Sequence, residues 1–146
     1  MAITRWLIDT NVVSELRRSR PDARVVGFLS AQRLDSLHIS CVTMAELRYG
    51  VARAVDAAQA AEIGGWVDRT IRPMFVGRTL DVSEETMLRW RYLVEGGRKL
   101  GHTFPQPDLI LAAQALEHDL TLVPRNTADF ELAHVPVLNP WLDPAG

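Results

Sequence analysis

The chain has one cysteine, one lysine and no long apolar run, and each shortage removes a class of protein. The lone Cys41 excludes an internal disulfide and a Cys-rich zinc site. Inside the apolar run HISCV it reads as a buried, inert thiol, and such usage fits a reducing cytoplasm. No stretch approaches the ~18 apolar residues of a membrane span, and MAITRWLID lacks a basic segment followed by a long apolar one. A soluble, cytoplasmic protein with no membrane partner is expected. Walker A, GxGxxG and GxSxG patterns are missing, and His38, His102, His118 and His134 are scattered with no HExxH pair. The formal net charge of −2 gives no case for a polycation that binds nucleic acid through global charge. Arg17, Arg18, Arg20 and Arg24 do cluster. Arginine suits bidentate phosphate contacts, although an Arg-rich composition would produce the same cluster.

What remains is an ordinary apolar fraction of 47% over 146 residues, which points to one domain, 1–146, large enough for a real core. RWLID reads as a short buried strand, after which Asp9 or Thr10 caps a helix to about Arg18. Pro21 starts another helix to about Ala31. LHISCV, residues 37–42, is the second strand. Thr43 to about Ala54 and Asp56 to about Thr70 are helical, the latter weakened by Gly64 and Gly65. MFVGRTLDV, around 74–82, is a third strand. Ser83 caps a helix with Glu84 and Glu85 in its first turn, Met87, Trp90 and Val94 on its apolar face, and Gly96 and Gly97 weakening its end. Pro107 opens the helix DLILAAQALEHD, LTLV at 120–123 is a strand, and VPVLNP at 135–140 is a last short one. Strands alternating with helices predict an α/β fold: a mainly parallel central sheet covered on both faces, with any ligand site outside the carboxyl ends of its strands.

Four carboxylates fall at those ends or in the first turns that follow: Asp9 after WLI, Glu46 in TMAEL, Asp108 in QPDLILAAQA and Asp129 in RNTADF. Each has a local explanation. Asp9 can serve an Asx turn or an N-cap, and Thr43 with Glu46 has the T-x-x-E spacing of a capping box. Asp108 sits at a helix start, and Asn126 with Asp129 makes a similar cap. A parallel sheet, however, delivers all four to one edge, where carboxylates within ~6 Å repel unless a cation sits among them. Oxygen ligands of this kind select Mg2+ or Mn2+. The D-x-D pattern of aspartyl-phosphate chemistry is spoiled by Asn11, which replaces the second carboxylate.

LIDTNVVSEL at 7–16, SCVTMAELRYG at 40–50, PQPDLILAAQA at 105–115 and PRNTADF at 124–130 together resemble a PIN domain, and more narrowly the VapC-type ribonuclease toxins of bacterial toxin–antitoxin pairs. The resemblance covers nearly the whole chain in order. It implies a three-layer α/β/α sandwich and Mg2+-dependent hydrolysis of RNA, with Mn2+ as a substitute. Asp9, Glu46, Asp108 and Asp129 would form the acidic metal site, with Asn11 and Asn126 at its edge. It also implies a cognate VapB-type antitoxin that blocks the cleft, and a homodimer. One departure is visible: Pro124 stands where the family usually has Thr, leaving Thr10 and Thr127 as possible substitutes for the missing hydroxyl. Arg48 and Arg125 lie beside candidate ligands, where they either hold substrate phosphate or pair with the carboxylates. A PIN-like module that binds RNA or protein without turnover is the competing expectation, and DNA cleavage is a third.

Overall fold

The computed structural model describes residues 3–143, apart from the side chains of Gln106 and Asp129. Four parallel strands form one sheet in the order β3-β2-β1-β4: β1 is Trp6–Ile8, β2 Leu37–Ser40, β3 Thr79–Leu80 and β4 Thr121–Val123. On the central pairing Trp6 faces Thr121 and Ile8 faces Val123, while Trp6 also registers with Leu37 on the other side. Strand residues alternate between faces, so the three residues of β1 serve two cores. Trp6 and Ile8 pack with Val12, Val25, Phe28, Leu47 and Ile71. Leu7 packs on the opposite face with Leu109, Ala112, Leu122 and Phe130.

The first core is covered by α1 (Thr10–Glu15), α2 (Ala23–Ala31), α3 (Cys41–Ala52), α4 (Ala57–Trp66) and α5 (Arg72–Met74). The second is covered by α6 (Glu84–Lys99), α7 (Gln106–His118) and α8 (Ala128–Leu132). This is the expected three-layer α/β/α arrangement with a parallel sheet. Among the described residues no helix is long and apolar enough to cross a membrane.

Several boundaries differ from the sequence reading. The second strand stops at Ser40, whose hydroxyl accepts the Val42 N–H at 3.0 Å, so α3 begins at Cys41 rather than Thr43. Cys41 is accordingly a half-buried first residue of a helix, not a buried strand thiol. The third strand shrinks to Thr79–Leu80, because Met74 still belongs to α5 and Gly77 turns the chain at φ 76°. Arg78 takes part of the pairing: its Nε donates to the Leu37 carbonyl at 2.9 Å. At 135–140 only one parallel bridge forms, Leu122 to Val137, since Pro136 and Pro140 have no N–H to donate. The first helix ends at Glu15, and Asp22, not Pro21, caps α2. Beyond α4 the helix continues through a π turn, Val67–Ile71, that seats Val67 and Ile71 in the core. Met87 is exposed, leaving Trp90, Leu93 and Val94 as the packed face of α6. Gly97 does not end α6; it lets the helix meet the 102–104 segment, where an added Cβ would come within 2.7 Å of the Phe104 ring.

Candidate active site

β1 carries its last residues to the carboxyl edge of the sheet, where the Asp9 N–H still bonds the Val123 carbonyl of β4 at 3.2 Å. The chain then turns into α1. Asp9 is its N-cap: the side chain accepts the Thr10 N–H at 2.8 Å, and its own carbonyl accepts from Val12 and Val13. The residue is only 6% exposed. Burial is the main cause that lifts its pKa from 3.8 to about 6; the Thr10 N–H opposes, and the charges of Asp108 and Glu46 add to the rise. Asp9 is therefore both a cap and a member of a charged group, as the two sequence readings of it allowed.

Glu46 is freed from capping by the earlier start of α3. It stands in the second turn, too deep in the helix to bond a terminal N–H, and Ser40 has taken that work. Its pKa is raised by partial burial first and by Asp108 second, while a hydrogen bond from the Thr10 side chain lowers it. Thr43, fully buried, turns its hydroxyl to that of Thr10 at 3.3 Å, which ties α3 to α1 beneath the acids. Asp108, half-buried, lies in the first turn of α7, behind Pro105 at the N-cap and Pro107. Its charge reaches both Asp9 and Glu46. Three of the four expected acids thus share one field. The side chain of Asp129 lies outside the described residues; its backbone is in α8, where the Asn126 side chain accepts the Ala128 N–H at 3.2 Å.

Among the described residues no three acidic, histidine or cysteine side chains are already drawn into a ligand cage. The donor chemistry nevertheless suits a hard divalent cation. Asp9, Glu46 and Asp108 offer only oxygen, and Asp9 and Glu46 hold their protons more firmly than free carboxyls, through burial first and neighbouring negative charge second.

Other expectations are redistributed. Arg17, Arg18 and Arg24 of the basic cluster pair with Glu62, Glu15 and Asp22, so most of its charge is answered within the chain. Arg48 lines a separate groove with Val67, Asp68 and Arg72, none of them a candidate ligand. Arg125 pairs with no carboxylate among the described residues; its guanidinium lies 4.9 Å over the Trp141 ring. Asn11 is exposed on α1, Thr127 is half-buried before α8, and Pro124 is buried at the end of β4. Sequence reasoning passed over Glu15, 5% exposed, which accepts the Asp22 N–H at 2.8 Å and closes the α1–α2 turn. It also passed over Gln114, fully buried, whose amide donates to the Leu80 and Asp81 carbonyls; a polar residue inside LAAQAL was the available signal. Beside the acids, a groove of about 540 Å3 opens at Thr10 and Glu46 and is bordered by Arg17, Tyr49, Arg53 and Trp66.

A parallel α/β/α sandwich with clustered carboxylates at the carboxyl edge defines a class of acidic-site proteins, and the comparisons with known proteins narrow it. A PIN domain model matches residues 6–136, and the chain belongs to that family. It is 35% identical over 137 residues to the toxin FitB of Neisseria gonorrhoeae, covering 94% of this chain and 99% of that protein. It is 30% identical over 135 residues to the VapC ribonuclease Y4jK of Sinorhizobium fredii, covering 92% and 96%. The crystal structure of FitAcB from Neisseria gonorrhoeae superposes with a TM-score of 0.89 at 34% identity, covering 94% of this chain and 99% of that one. Solved toxin–antitoxin complexes, one from Klebsiella pneumoniae among them, share the fold.

Proposed function

We propose that the chain is a metal-dependent endoribonuclease and the toxin of a toxin–antitoxin pair. The observation that carries this reading is the acid set: Asp9, Glu46 and Asp108 arrive from the end of β1, from α3 and from α7 at one edge of the sheet, where the Asp108 charge adds to the effect of burial on both Asp9 and Glu46. The toxin FitB and the ribonuclease Y4jK, similar along nearly their whole lengths, support it. Asp9, Asp108 and Glu46 are the residues to hold Mg2+ or Mn2+, with Asp129 as an outer or second-metal ligand. Such an ion, when bound, lowers the pKa of a water for attack on phosphorus and offsets charge on the phosphate.

The chain's own part is positional. The Thr10 hydroxyl, beside that of Thr43, bonds the Glu46 carboxylate, and the cap bond at Thr10 fixes the Asp9 carboxyl where it must shed its proton. Because the proton and the cation compete for that carboxyl, activity at limiting Mn2+ should fall as the pH drops towards 6. The groove beside Glu46, bordered by Tyr49 and Trp66, offers an aromatic bed for an antitoxin segment that blocks the acids. A homodimer, and a heteromer with the antitoxin, complete the reading; sedimentation of the chain alone and with the product of the neighbouring reading frame tests both.

The deciding experiment is cleavage of an RNA panel by the wild type with Mn2+, by the wild type with EDTA, and by Asp9→Asn, Asp108→Asn protein. Cuts only in the first arm support the proposal, and cuts that persist in either of the others refute it. Pro124, which leaves the last motif without its usual hydroxyl, favours one competing reading, a module that captures RNA without turnover. Binding with no cuts in any arm selects it.

A further inference from the structure

Eight arginines of this chain are answered by carboxylates, seven by one within four residues and Arg17 by Glu62 of α4. Arg125 is not. It follows Pro124 at the carboxyl end of β4, two residues beyond Val123, whose carbonyl takes the Asp9 N–H. Its side chain is therefore rooted on the same rim as the acids, and it is exposed with no carboxylate partner among the described residues. The guanidinium is not loose, however. It stacks at 4.9 Å on Trp141, which is 7% exposed and belongs to the first core.

The backbone below it is held by a second contact. Asn139 donates its side-chain amide to the Arg125 carbonyl at 2.6 Å and accepts the Trp141 N–H at 2.9 Å. Asp143 closes the same turn by accepting the Asn139 N–H at 2.7 Å. One compact C-terminal turn thus grips both the main chain and the side chain of Arg125. These gripping residues lie beyond the 6–136 span matched by the family.

The guanidinium carbon lies over the ring, and a guanidinium seated on a ring by its face keeps its in-plane N–H donors for a second partner. Those donors form the fork that matches two phosphate oxygens, and immobilisation on an aromatic face reduces the entropy lost on binding. Arg17 also stacks, on Trp66 at 5.6 Å, yet it is answered by Glu62. Arg53 stacks on Tyr49, but Tyr49 is itself 63% exposed and makes no fixed platform. Resting on the ribonuclease reading above, we propose that Arg125, held by Trp141 and Asn139, is a substrate-binding residue that grips a backbone phosphate of single-stranded RNA on the β4 side of the acids.

The test separates binding from cleavage. In full-length Asp9→Asn, Asp108→Asn protein with EDTA, fluorescence anisotropy of a labelled single-stranded RNA is followed from 50 to 200 mM salt, with and without Arg125→Ala. Because Asn139 holds the Arg125 carbonyl, not its side chain, the alanine variant should fold, its melting temperature lowered by no more than about 4 °C for the lost contact with Trp141. Loss of the arginine should weaken binding about tenfold on every RNA sequence and flatten the salt slope by ~0.7, the share of one phosphate contact on a single strand. Arg125→Lys should keep the slope and lose part of the affinity, and Trp141→Phe should do the same. Arg24→Ala, already paired with Asp22, should change neither. An unchanged slope with Arg125→Ala overturns the proposal, as does an acidic peptide of equal charge that competes as well as RNA. If wild-type protein with Mn2+ cuts nothing while Arg125→Ala still flattens the slope, the ribonuclease reading fails and the phosphate contact stands.

Discussion

Replacing Asp9 by asparagine should make the metal-free protein more stable, although Asp9 is a helix cap. The buried carboxyl titrates at about 6 instead of 3.8, a shift of roughly two units, and each unit is worth about 1.4 kcal/mol of difference between its charged and neutral forms. The sign follows from proton counting. The folded chain holds this proton more tightly than the unfolded chain, so stability is full below 3.8, declines as the pH rises towards 6, and stays lower by about 3 kcal/mol above it. Asparagine is neutral and keeps an oxygen for the Thr10 N–H now accepted at 2.8 Å. In EDTA at pH 7.5, Asp9→Asn should therefore melt higher by roughly 9 °C, at about 3 °C per kcal/mol for a domain of this size. At pH 4 the two proteins should melt together. Mn2+ at a hundred times its Kd should raise the wild type by about 2.7 kcal/mol and leave the variant unmoved. The assay is a pair of thermal melts at each pH, repeated with the ion. A variant that is less stable at pH 7.5, or that shows the same offset at both pH values, would make Asp9 an ordinary cap and sink the argument.

Adjacent glycines in α6 should respond with opposite signs. Gly97→Ala puts a Cβ within 2.7 Å of the Phe104 ring and 2.8 Å of the His102 carbonyl and should cost about 1–3 kcal/mol, whereas Gly96→Ala meets nothing within 4 Å and should gain about 0.5–1 kcal/mol; urea melts read both. Leu7→Ala, which empties a fully buried place in the second core, should cost about 2–5 kcal/mol, and adding Asp9→Asn should recover part of that loss at pH 7.5 but none at pH 4.

The layers were legible because they depend on local periodicity. β1, β2 and β4 are short apolar runs bounded by polar breaks, and the helices between them force parallel crossovers. The edges were not legible, because there tertiary contacts outvote propensity. MFVGRTLDV is β-branched enough for a long strand, but the helix before it overruns to Met74 and the positive φ of Gly77 breaks what is left. VPVLNP failed as a strand for a reason visible in its own prolines, which cannot supply a ladder with N–H groups. The start of α3 is subtler. Ser40 and Thr43 are comparable N-caps, and only the pairing of Ser40 with Leu80 at the end of the sheet decides that the chain turns at the first of them.

That choice matters for the site. Had Thr43 capped α3, Glu46 would have had a backbone N–H to accept, a bond that opposes the rise caused by burial and by Asp108. With Ser40 in that role, Thr43 is released to bond Thr10, and Glu46 is left facing Asp108. A shift of the helix start from Thr43 to Cys41 therefore turns a local capping signature into part of a charged cluster. Asp9 needed no such shift, because one carboxyl oxygen can cap α1 while the group as a whole feels Asp108 and Glu46. The Arg125 platform was beyond any local reading: Asn139, 14 residues from Arg125, and Trp141 meet it only because the C-terminal turn comes back to the end of β4. The acids were legible as residue types at strand ends, and their partners were not. A carboxylate announces itself by interrupting an apolar run, whereas the hydroxyls, rings and amides that set its field look like any other polar or buried residue until the strands are side by side.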